Sequence, residues 1–420
     1  MSFHLKKDIF NRYYFLSFII VIIGEIFISY LKFTDASAGS LLKLIVHSHI
    51  YLSVFFLIFG FKLMDIKKFN SNYLVFLLFI LLFYSLFQLF RISPVNTDLY
   101  VSNPIYARFG NIWYGPMFIV PFFIFWGINK NSIYWFEKIS LKVIQIGVIL
   151  FLLSLLFNFN VPYVFFLSSF TLLAGFSFSN NKRRIWIILG ICISIIVFFS
   201  EEYRSGVLRI LLALFCVLIV YQKIRILKIF FILFLFLFPL FIFYDVLNNS
   251  PNIFQLIAEI ENKNNQNLFV DTRTFLFTET YNELKKNNDL ILGLGSMGSY
   301  LSDYFLSIIS YNNYASADFY IRSKVEVGFL QMLLKGGLFY IILISLIYFY
   351  LAKNLIKIKN TYIQNLSYIC ISNFFFMSIE NIPAFNYLNA LIWIILGICL
   401  TNLLKEKNNL EIKQIFNTLN

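Results

Sequence analysis

The sequence has few charged residues. Only 13% of its 420 residues are Asp, Glu, Lys or Arg, whereas 60% are apolar and 20% are aromatic. A soluble domain carries about 25% charged residues, so this chain has too little charge to cover a surface that faces water. The scarcity excludes an ordinary soluble protein and indicates an integral membrane protein.

Motifs that hold metals or nucleotides are scarce as well. The four cysteines lie inside apolar runs without a CxxC spacing, and the three histidines form no HExxH motif. No carboxylate pair has a spacing typical of Mg²⁺ ligands. The GxGxxG match at 293–298 follows no buried strand of a βαβ unit, so we interpret it as a flexible turn. We therefore expect no metal and no cofactor.

Apolar stretches long enough to cross a membrane recur along the whole chain. A membrane helix needs about 17–25 residues, and we count twelve candidate stretches. They occupy positions 13–31, 41–61, 73–90, 112–128, 139–157, 161–178, 185–199, 206–221, 226–244, 328–350, 362–379 and 386–404. The sequence thus predicts an all-α polytopic membrane protein in which residues 1–420 form a single integral membrane domain with about twelve transmembrane helices.

One connection is much longer than the others. Residues 245–327 lie between the ninth and tenth stretches, and they contain segments with apolar residues at helical spacing, at 253–261, 272–285 and 300–310. These segments are too sparse in apolar residues for an independent domain. We expect them to lie on the bilayer surface or to cap the helices.

The basic residues are distributed unevenly between the two sides. If the N-terminus is cytoplasmic and the spans alternate, 21 of the 34 Lys and Arg residues fall on the cytoplasmic side. This bias follows the positive-inside rule. It predicts that both termini are cytoplasmic and that the 245–327 loop is external. The net charge of +13 is then a signal of topology and gives no indication of nucleic-acid binding.

Basic residues that remain on the external side need another explanation. The guanidinium group suits bidentate contact with phosphate, whereas snorkelling to lipid headgroups and pairing with carboxylates such as Asp271 or Glu326 are the structural alternatives. For Arg204, Arg273 and Arg322 taken together we favour phosphate binding. The further external candidates are Arg91, Arg108, Arg209 and Lys324.

Glu25 is an ionisable residue well inside the first span. Such residues are functional candidates by default. An ion-coupled transporter needs several of them facing one another, and Glu25 alone is clearly mid-membrane in this sequence. The pattern therefore weakens the hypothesis of a transporter.

Short motifs in a characteristic order give a resemblance to a known family. FFSEEYRSG at 198–206 opens the eighth span, DTRTF lies at 271–275, LILGLG at 290–295, and EVGFLQMLLKGGL at 326–338 enters the tenth span. This order resembles the superfamily of Wzy-type O-antigen polymerases and O-antigen ligases, over about half of the chain.

The resemblance implies a fold and an activity. The fold would be GT-C-like, and the protein would be a metal-independent glycosyltransferase acting on undecaprenyl-diphosphate-linked glycans at the periplasmic face of the bacterial inner membrane. Arg204 and Arg273 would hold the donor diphosphate. Ligases of this superfamily have a His where alignment on Leu330-Gln331 places Glu326. This difference favours the polymerase branch, with Glu326 as the base or as the residue that orients the acceptor hydroxyl.

We therefore expect polymerisation of lipid-linked repeat units into O-antigen or capsular polysaccharide. Donor and acceptor glycans, membrane lipid and a chain-length regulator are the expected partners, without nucleic acid. The alternative within this class is ligase-type transfer to lipid A-core or protein. The alternative of another class is a lipid-linked oligosaccharide flippase, against which the large loop and the lack of a half-chain repeat both argue.

Overall fold

A computed structural model of the chain describes residues 9–33, 40–61, 71–91, 115–128, 131–157, 159–201, 203–222, 224–256, 273–296, 298–304, 321–322, 325–355, 358–380, 384–401 and 407–419. The α-helices in these ranges are α1 (Ile9–Phe33), α2 (Ser40–Phe61), α3 (Asn72–Phe90), α4 (Ile124–Gly127), α5 (Ser132–Phe157), α6 (Ser169–Leu172), α7 (Asn181–Ser200), α8 (Arg204–Tyr221), α9 (Arg225–Asn248), α10 (Thr274–Lys286), α11 (Gly328–Leu355), α12 (Thr361–Phe376), α13 (Tyr387–Leu400) and α14 (Asn409–Asn417). Short 3₁₀ helices flank α4 and α6, at Gly115–Phe118, Val120–Phe123, Tyr163–Phe166 and Leu173–Phe178.

Seven of the described helices are long and apolar enough to cross a membrane: α1, α3, α5, α7, α8, α9 and α11. Shorter apolar helical segments occur at Ser48–Gly60, Tyr163–Phe178 and Tyr387–Leu400. Helices satisfy their own backbone hydrogen bonds, which the hydrocarbon core of a bilayer requires. The prediction of an all-α membrane protein is confirmed. Within the residues that the structure describes, each of the twelve predicted stretches contains helical residues, whereas their number as true spans stays a prediction.

The helices differ strongly in burial. Every residue of α13 is buried, and α12 is buried along nearly its whole length. Helix α9 instead exposes large apolar side chains, among them Phe230, Leu240 and Tyr244. An apolar surface of this kind is typical of contact with lipid. The centre of the bundle is thus formed by α12 and α13, and α9 lies at its periphery.

The described part of the 245–327 segment packs on the ends of the membrane helices. Helix α10 supplies Leu276, Phe277 and Leu284 to a small core that also contains residues of α9 and α11. The strands β1 (Tyr300–Leu301) and β2 (Ile321–Arg322) pair antiparallel beside it. Because the core is shared, the segment is no independent domain. The helix predicted at 272–285 is confirmed as α10, whereas the helix predicted from 300 is wrong at its start, where β1 forms.

Helix α11 is broken at Gly337, whose φ of 68° and ψ of −176° are not helical. A break in an apolar helix frees backbone groups that need other partners. Residues 290–295 supply them through backbone hydrogen bonds from Leu338 to Leu290 (2.9 Å), Phe339 to Ile291 (3.1 Å), Leu294 to Leu334 (2.7 Å) and Gly295 to Lys335 (2.9 Å).

The described residues of the GxGxxG segment form a turn, as the sequence predicts, and hydrogen bonds hold this turn against the broken helix. Gly293 and Gly295 have φ of 70° and 82°, values that suit glycine. The buried Lys335 ammonium adds a hydrogen bond to the Ser296 carbonyl at 3.0 Å and another to the Gly298 carbonyl. The groups that the break in α11 frees thus bond to this turn, and whether the turn is flexible stays a prediction.

Candidate functional site

The candidate site is built around a buried ion pair between α8 and the turn that follows α12. Arg209 is 3% exposed, and it donates to Glu380 Oε2 from Nη2 at 2.6 Å and from Nε at 3.1 Å. Its Nη1 donates to Asn373 Oδ1 at 3.0 Å. The guanidinium lies 4.1 Å from the centroid of the Phe376 ring. All three nitrogens of Arg209 are thus bonded inside the protein.

Tyr203 completes this arrangement. Its hydroxyl donates to Glu380 Oε1, so both oxygens of the carboxylate have donors. Burial raises the pKa of the Tyr203 hydroxyl well above its ordinary value, and the Glu380 carboxylate raises it further. The hydroxyl therefore stays protonated and keeps donating. We call Tyr203, Arg209 and Glu380 the Arg209 triad.

The turn after α12 also ties down the start of α11. The Gly328 amide donates to the Glu380 carbonyl at 3.0 Å, and the Phe329 amide donates to the Met377 carbonyl at 2.8 Å. Glu326 precedes Gly328 by two residues, and Arg204 follows Tyr203 directly. Backbone and side-chain contacts of one turn therefore link the chain segments that carry two of the predicted catalytic residues.

Glu326 itself is half-exposed and paired. Arg322 of β2 forms an ion pair with its carboxylate, in which the Glu326 side chain is 50% exposed. This is the carboxylate pairing that the sequence offers as the alternative to phosphate binding by Arg322. The pair fixes the Glu326 carboxylate and leaves it accessible from outside.

Arg273 lies at the start of α10, where it precedes the first helical residue. Its guanidinium lies 5.5 Å from the centroid of the Phe254 ring. Helix α10 shares its core with Val325 and Val327, which flank Glu326. The third predicted catalytic residue is thus carried by the same small core as Glu326.

The other predicted substrate-binding residues have different positions. Arg91 ends α3 and donates to Asp289 Oδ1 at 2.6 Å and to the Gly293 carbonyl. Arg91 therefore anchors the turn on α11, and the geometry favours this structural role over substrate binding. Arg108, Asp271 and Lys324 lie outside the described residues.

Further carboxylates approach the triad. Tyr163 packs on the Tyr203 ring with centroids 4.8 Å apart, and it lies in electrostatic range of Glu25, Glu201 and Glu380. Glu25 thus faces the protein interior near this site. Burial raises the pKa of Glu201. Among the residues described, no group of three or more His, Cys, Asp or Glu side chains is arranged to hold a metal ion.

Glu380 and Asn373 are not among the site residues that the sequence predicts. The signal that points to them is weak: a lone carboxylate just beyond the end of α12, with an amide seven residues earlier inside that helix. Their partner Arg209 is about 170 residues away in the chain, and helical periodicity alone carries no information on such pairing.

Comparison with models of protein families, with curated proteins and with solved structures finds no match to this chain. The chemistry of the site rests on its own residues. Arg204 is an exposed cation at the start of α8 and Glu326 an exposed carboxylate before α11. A fixed guanidinium stabilises negative charge that develops during a reaction, and a fixed carboxylate accepts a proton.

Proposed function

We propose that this chain is a metal-independent glycosyltransferase that polymerises undecaprenyl-diphosphate-linked oligosaccharide repeat units. The observation that carries the proposal is that the chain segments bearing Arg204 and Glu326 are both bonded to Glu380, through the Tyr203 hydroxyl and the Gly328 amide, at one end of an apolar helix bundle. The proposal includes twelve spans in a GT-C-like fold, cytoplasmic termini in a bacterial inner membrane and a periplasmic 245–327 loop.

The proposed reaction is a displacement at the anomeric carbon of the donor glycan. The acceptor hydroxyl forms the new glycosidic bond while the bond from the anomeric carbon to the diphosphate oxygen breaks. The electron pair of that bond leaves with the lipid diphosphate, whose negative charge grows. Arg204 and Arg273 stabilise this charge through hydrogen bonds to the diphosphate oxygens, and such bonds strengthen in the transition state.

Glu326 accepts the proton that the acceptor hydroxyl loses. A positioned general base contributes about 10²–10⁴-fold to a rate. Arg322 holds the carboxylate in one orientation through its ion pair, and exposure leaves room for a sugar hydroxyl to approach. The lipid diphosphate is itself an activated leaving group, so the reaction needs no nucleotide.

The Arg209 triad serves as a framework in this proposal. Arg209 is fully engaged by Glu380 and Asn373, so it acts by holding the starts of α8 and α11 in register. The prediction that Arg209 touches substrate directly is replaced by this positioning role. The lipid-linked substrate then contacts Arg204, Arg273 and Glu326, and Arg209 stays behind them.

A deletion strain tests the proposal through its surface glycan. We expect cells without the chain to display a single repeat unit on the acceptor, and plasmid-borne wild type to restore long chains. Polymer accumulating on undecaprenyl diphosphate would identify a ligase instead. Single repeats trapped on the cytoplasmic side would identify a flippase. Either of these outcomes contradicts polymerisation by this chain.

A further inference from the structure

A second buried ion pair lies at the opposite end of α7 from the candidate site. Arg183 of the first turn of α7 forms an ion pair with Glu137 of α5, and the two side chains are 3% and 0% exposed. The Tyr362 hydroxyl donates to Glu137 Oε1 at 2.8 Å. The Arg183 guanidinium also faces the Phe416 ring of α14 at 5.2 Å. We call Glu137, Arg183 and Tyr362 the Arg183 triad.

This arginine is only partly satisfied. Its Nη2 donates to the Glu137 carboxylate, whereas Nε and Nη1 are buried without a hydrogen-bond acceptor among the described residues. A buried donor without a partner costs about 1–3 kcal/mol. Arg183 therefore has two donors that an additional acceptor would satisfy.

Arg183 lines a pocket of about 190 Å³ between the starts of α5 and α7. The lining contains four basic side chains and no carboxylate: Lys138, Lys142, Lys182 and Arg183, together with Leu141, Gln145, Asn180, Trp186 and Leu419. None of the three lysines forms an ion pair with another described residue. Among the described residues, Glu137 pairs with Arg183 and offsets part of this charge.

The pocket opens beside an apolar track along the same two helices. Ile146 and Ile149 follow Gln145 on α5, and Ile188 and Leu189 follow Trp186 on α7, all four exposed. Tryptophan is enriched where a protein crosses from the hydrocarbon of a bilayer to the headgroups. A polar, cationic pocket thus continues directly into a surface suited to acyl chains.

We propose that this pocket binds the phosphate of an anionic membrane lipid. The phosphate oxygens accept hydrogen bonds from Arg183 Nε and Nη1 and lie between Lys142 and Lys182, while the acyl chains follow the apolar track. Basic pockets between membrane helices recognise lipid headgroups in this way. A soluble phosphate compound would make no use of the track, so a lipid is the occupant that fits both features.

The test measures lipid binding by the full-length protein in phosphatidylcholine nanodiscs that contain increasing amounts of phosphatidylglycerol. Native mass spectrometry counts the phosphatidylglycerol molecules retained on the protein. The variant K142Q/K182Q removes two cations near the phosphate, each worth about 1 kcal/mol at a membrane surface. We expect binding to weaken by about 30-fold. Substitutions of exposed residues usually change the free energy of unfolding by no more than about 0.5 kcal/mol. The thermal unfolding midpoints of the variant and the wild type verify this.

The matched control is K353Q/K413Q, which removes two exposed lysines at the same end of the bundle but outside the pocket. We expect it to bind phosphatidylglycerol like the wild type. Equal weakening in both double variants would overturn the pocket, because the effect would then be one of net charge. Displacement of phosphatidylglycerol by soluble glycerol phosphate at equal concentration would overturn the assignment to a lipid. Neither outcome bears on glycan polymerisation.

Discussion

Each end of the bundle carries a similar arrangement of a buried arginine, a glutamate and a tyrosine. The two arrangements differ in how many arginine nitrogens have a hydrogen-bond acceptor. Each unit pairs a buried arginine with a glutamate, adds a tyrosine hydroxyl to the carboxylate, and covers the guanidinium with a phenylalanine ring: the Arg209 triad with Phe376 and the Arg183 triad with Phe416. Arg209 has an acceptor for every nitrogen, whereas two buried nitrogens of Arg183 find no acceptor in the part of the chain that the structure describes.

We interpret this difference in acceptors as a difference in role: the Arg209 triad is a structural framework, and the Arg183 triad is part of a binding site. Because every nitrogen of the Arg209 guanidinium already has an acceptor inside the protein, we interpret the Arg209 triad as the structure that holds the two helix starts bearing Arg204 and Glu326. An unsaturated guanidinium in a cationic pocket has capacity for an anion. The presence of a buried Arg–Glu pair thus says less about function than the number of arginine donors that still lack an acceptor.

The largest effect that we expect is a loss of stability when the glutamate of either triad is removed, with a larger loss in the Arg183 triad. Removing one partner of a buried ion pair costs about 3–5 kcal/mol. We expect E137A to approach the upper value, because Arg183 keeps no side-chain acceptor. E380A should cost less, because Arg209 keeps the Asn373 amide oxygen. Unfolding free energies in phosphatidylcholine vesicles measure both variants. A larger loss in E380A would contradict the comparison.

Glu326→Gln tests the base at the Arg209 end. We expect chain extension to slow by about 100-fold or more, since the amide accepts no proton, while the unfolding free energy stays near that of wild type. The rate of oligomer formation from lipid-linked repeats is the measurement. Glu283→Gln is the matched control, because this carboxylate also belongs to the loop segment, on α10. An unchanged rate in Glu326→Gln would eliminate the base.

Arg204→Lys tests the contact with the diphosphate. Loss of one preorganised donor to a developing anion costs about 10²–10³ in rate, and we expect a drop toward the lower end because lysine keeps the charge. The control is Arg184→Lys, a half-buried guanidinium near the other end of α7 that donates to the Phe176 and Ser177 carbonyls. Equal chain-length distributions in the two variants would contradict the diphosphate contact.

The smallest effects come from the two tyrosines. Tyr203→Phe and Tyr362→Phe each remove one hydrogen bond to a carboxylate, worth about 1.5–3 kcal/mol. We expect similar losses of stability but a slower rate of chain extension only in Tyr203→Phe, since Tyr203 lies next to Arg204. If Tyr362→Phe slowed extension as much, the two ends would not be functionally distinct.

Much of the fold follows from composition and spacing. Apolar runs predict the long helices because a bilayer leaves few other options for the backbone, and the apolar spacing at 272–285 predicts α10. The ion pair of Arg322 with Glu326 is the alternative that the sequence offers to phosphate binding by Arg322. In each case the information lies within a few residues along the chain.

What the sequence leaves open depends on contacts between distant segments. Gly336-Gly337 lies in an apolar run where glycine is tolerated, so these residues alone do not predict a break in α11. The break is recognised only from the structure, where the turn at 290–295 bonds to the backbone groups that the break frees. Glu137 counts as a charge outside the membrane in the sequence, yet the structure buries it in α5. The lysines of the pocket likewise serve only as a topology signal until α5 and α7 pack together.

Reconstitution shows whether this chain by itself polymerises lipid-linked repeat units. The purified chain is placed in lipid vesicles with lipid-linked repeat units taken from the deletion strain, in the presence of a metal chelator and without nucleotide sugar. We predict a ladder of lipid-linked oligomers that is lost in Glu326→Gln and kept in Glu283→Gln. Repeat units that remain single with the wild-type protein would contradict the proposal that this chain polymerises them.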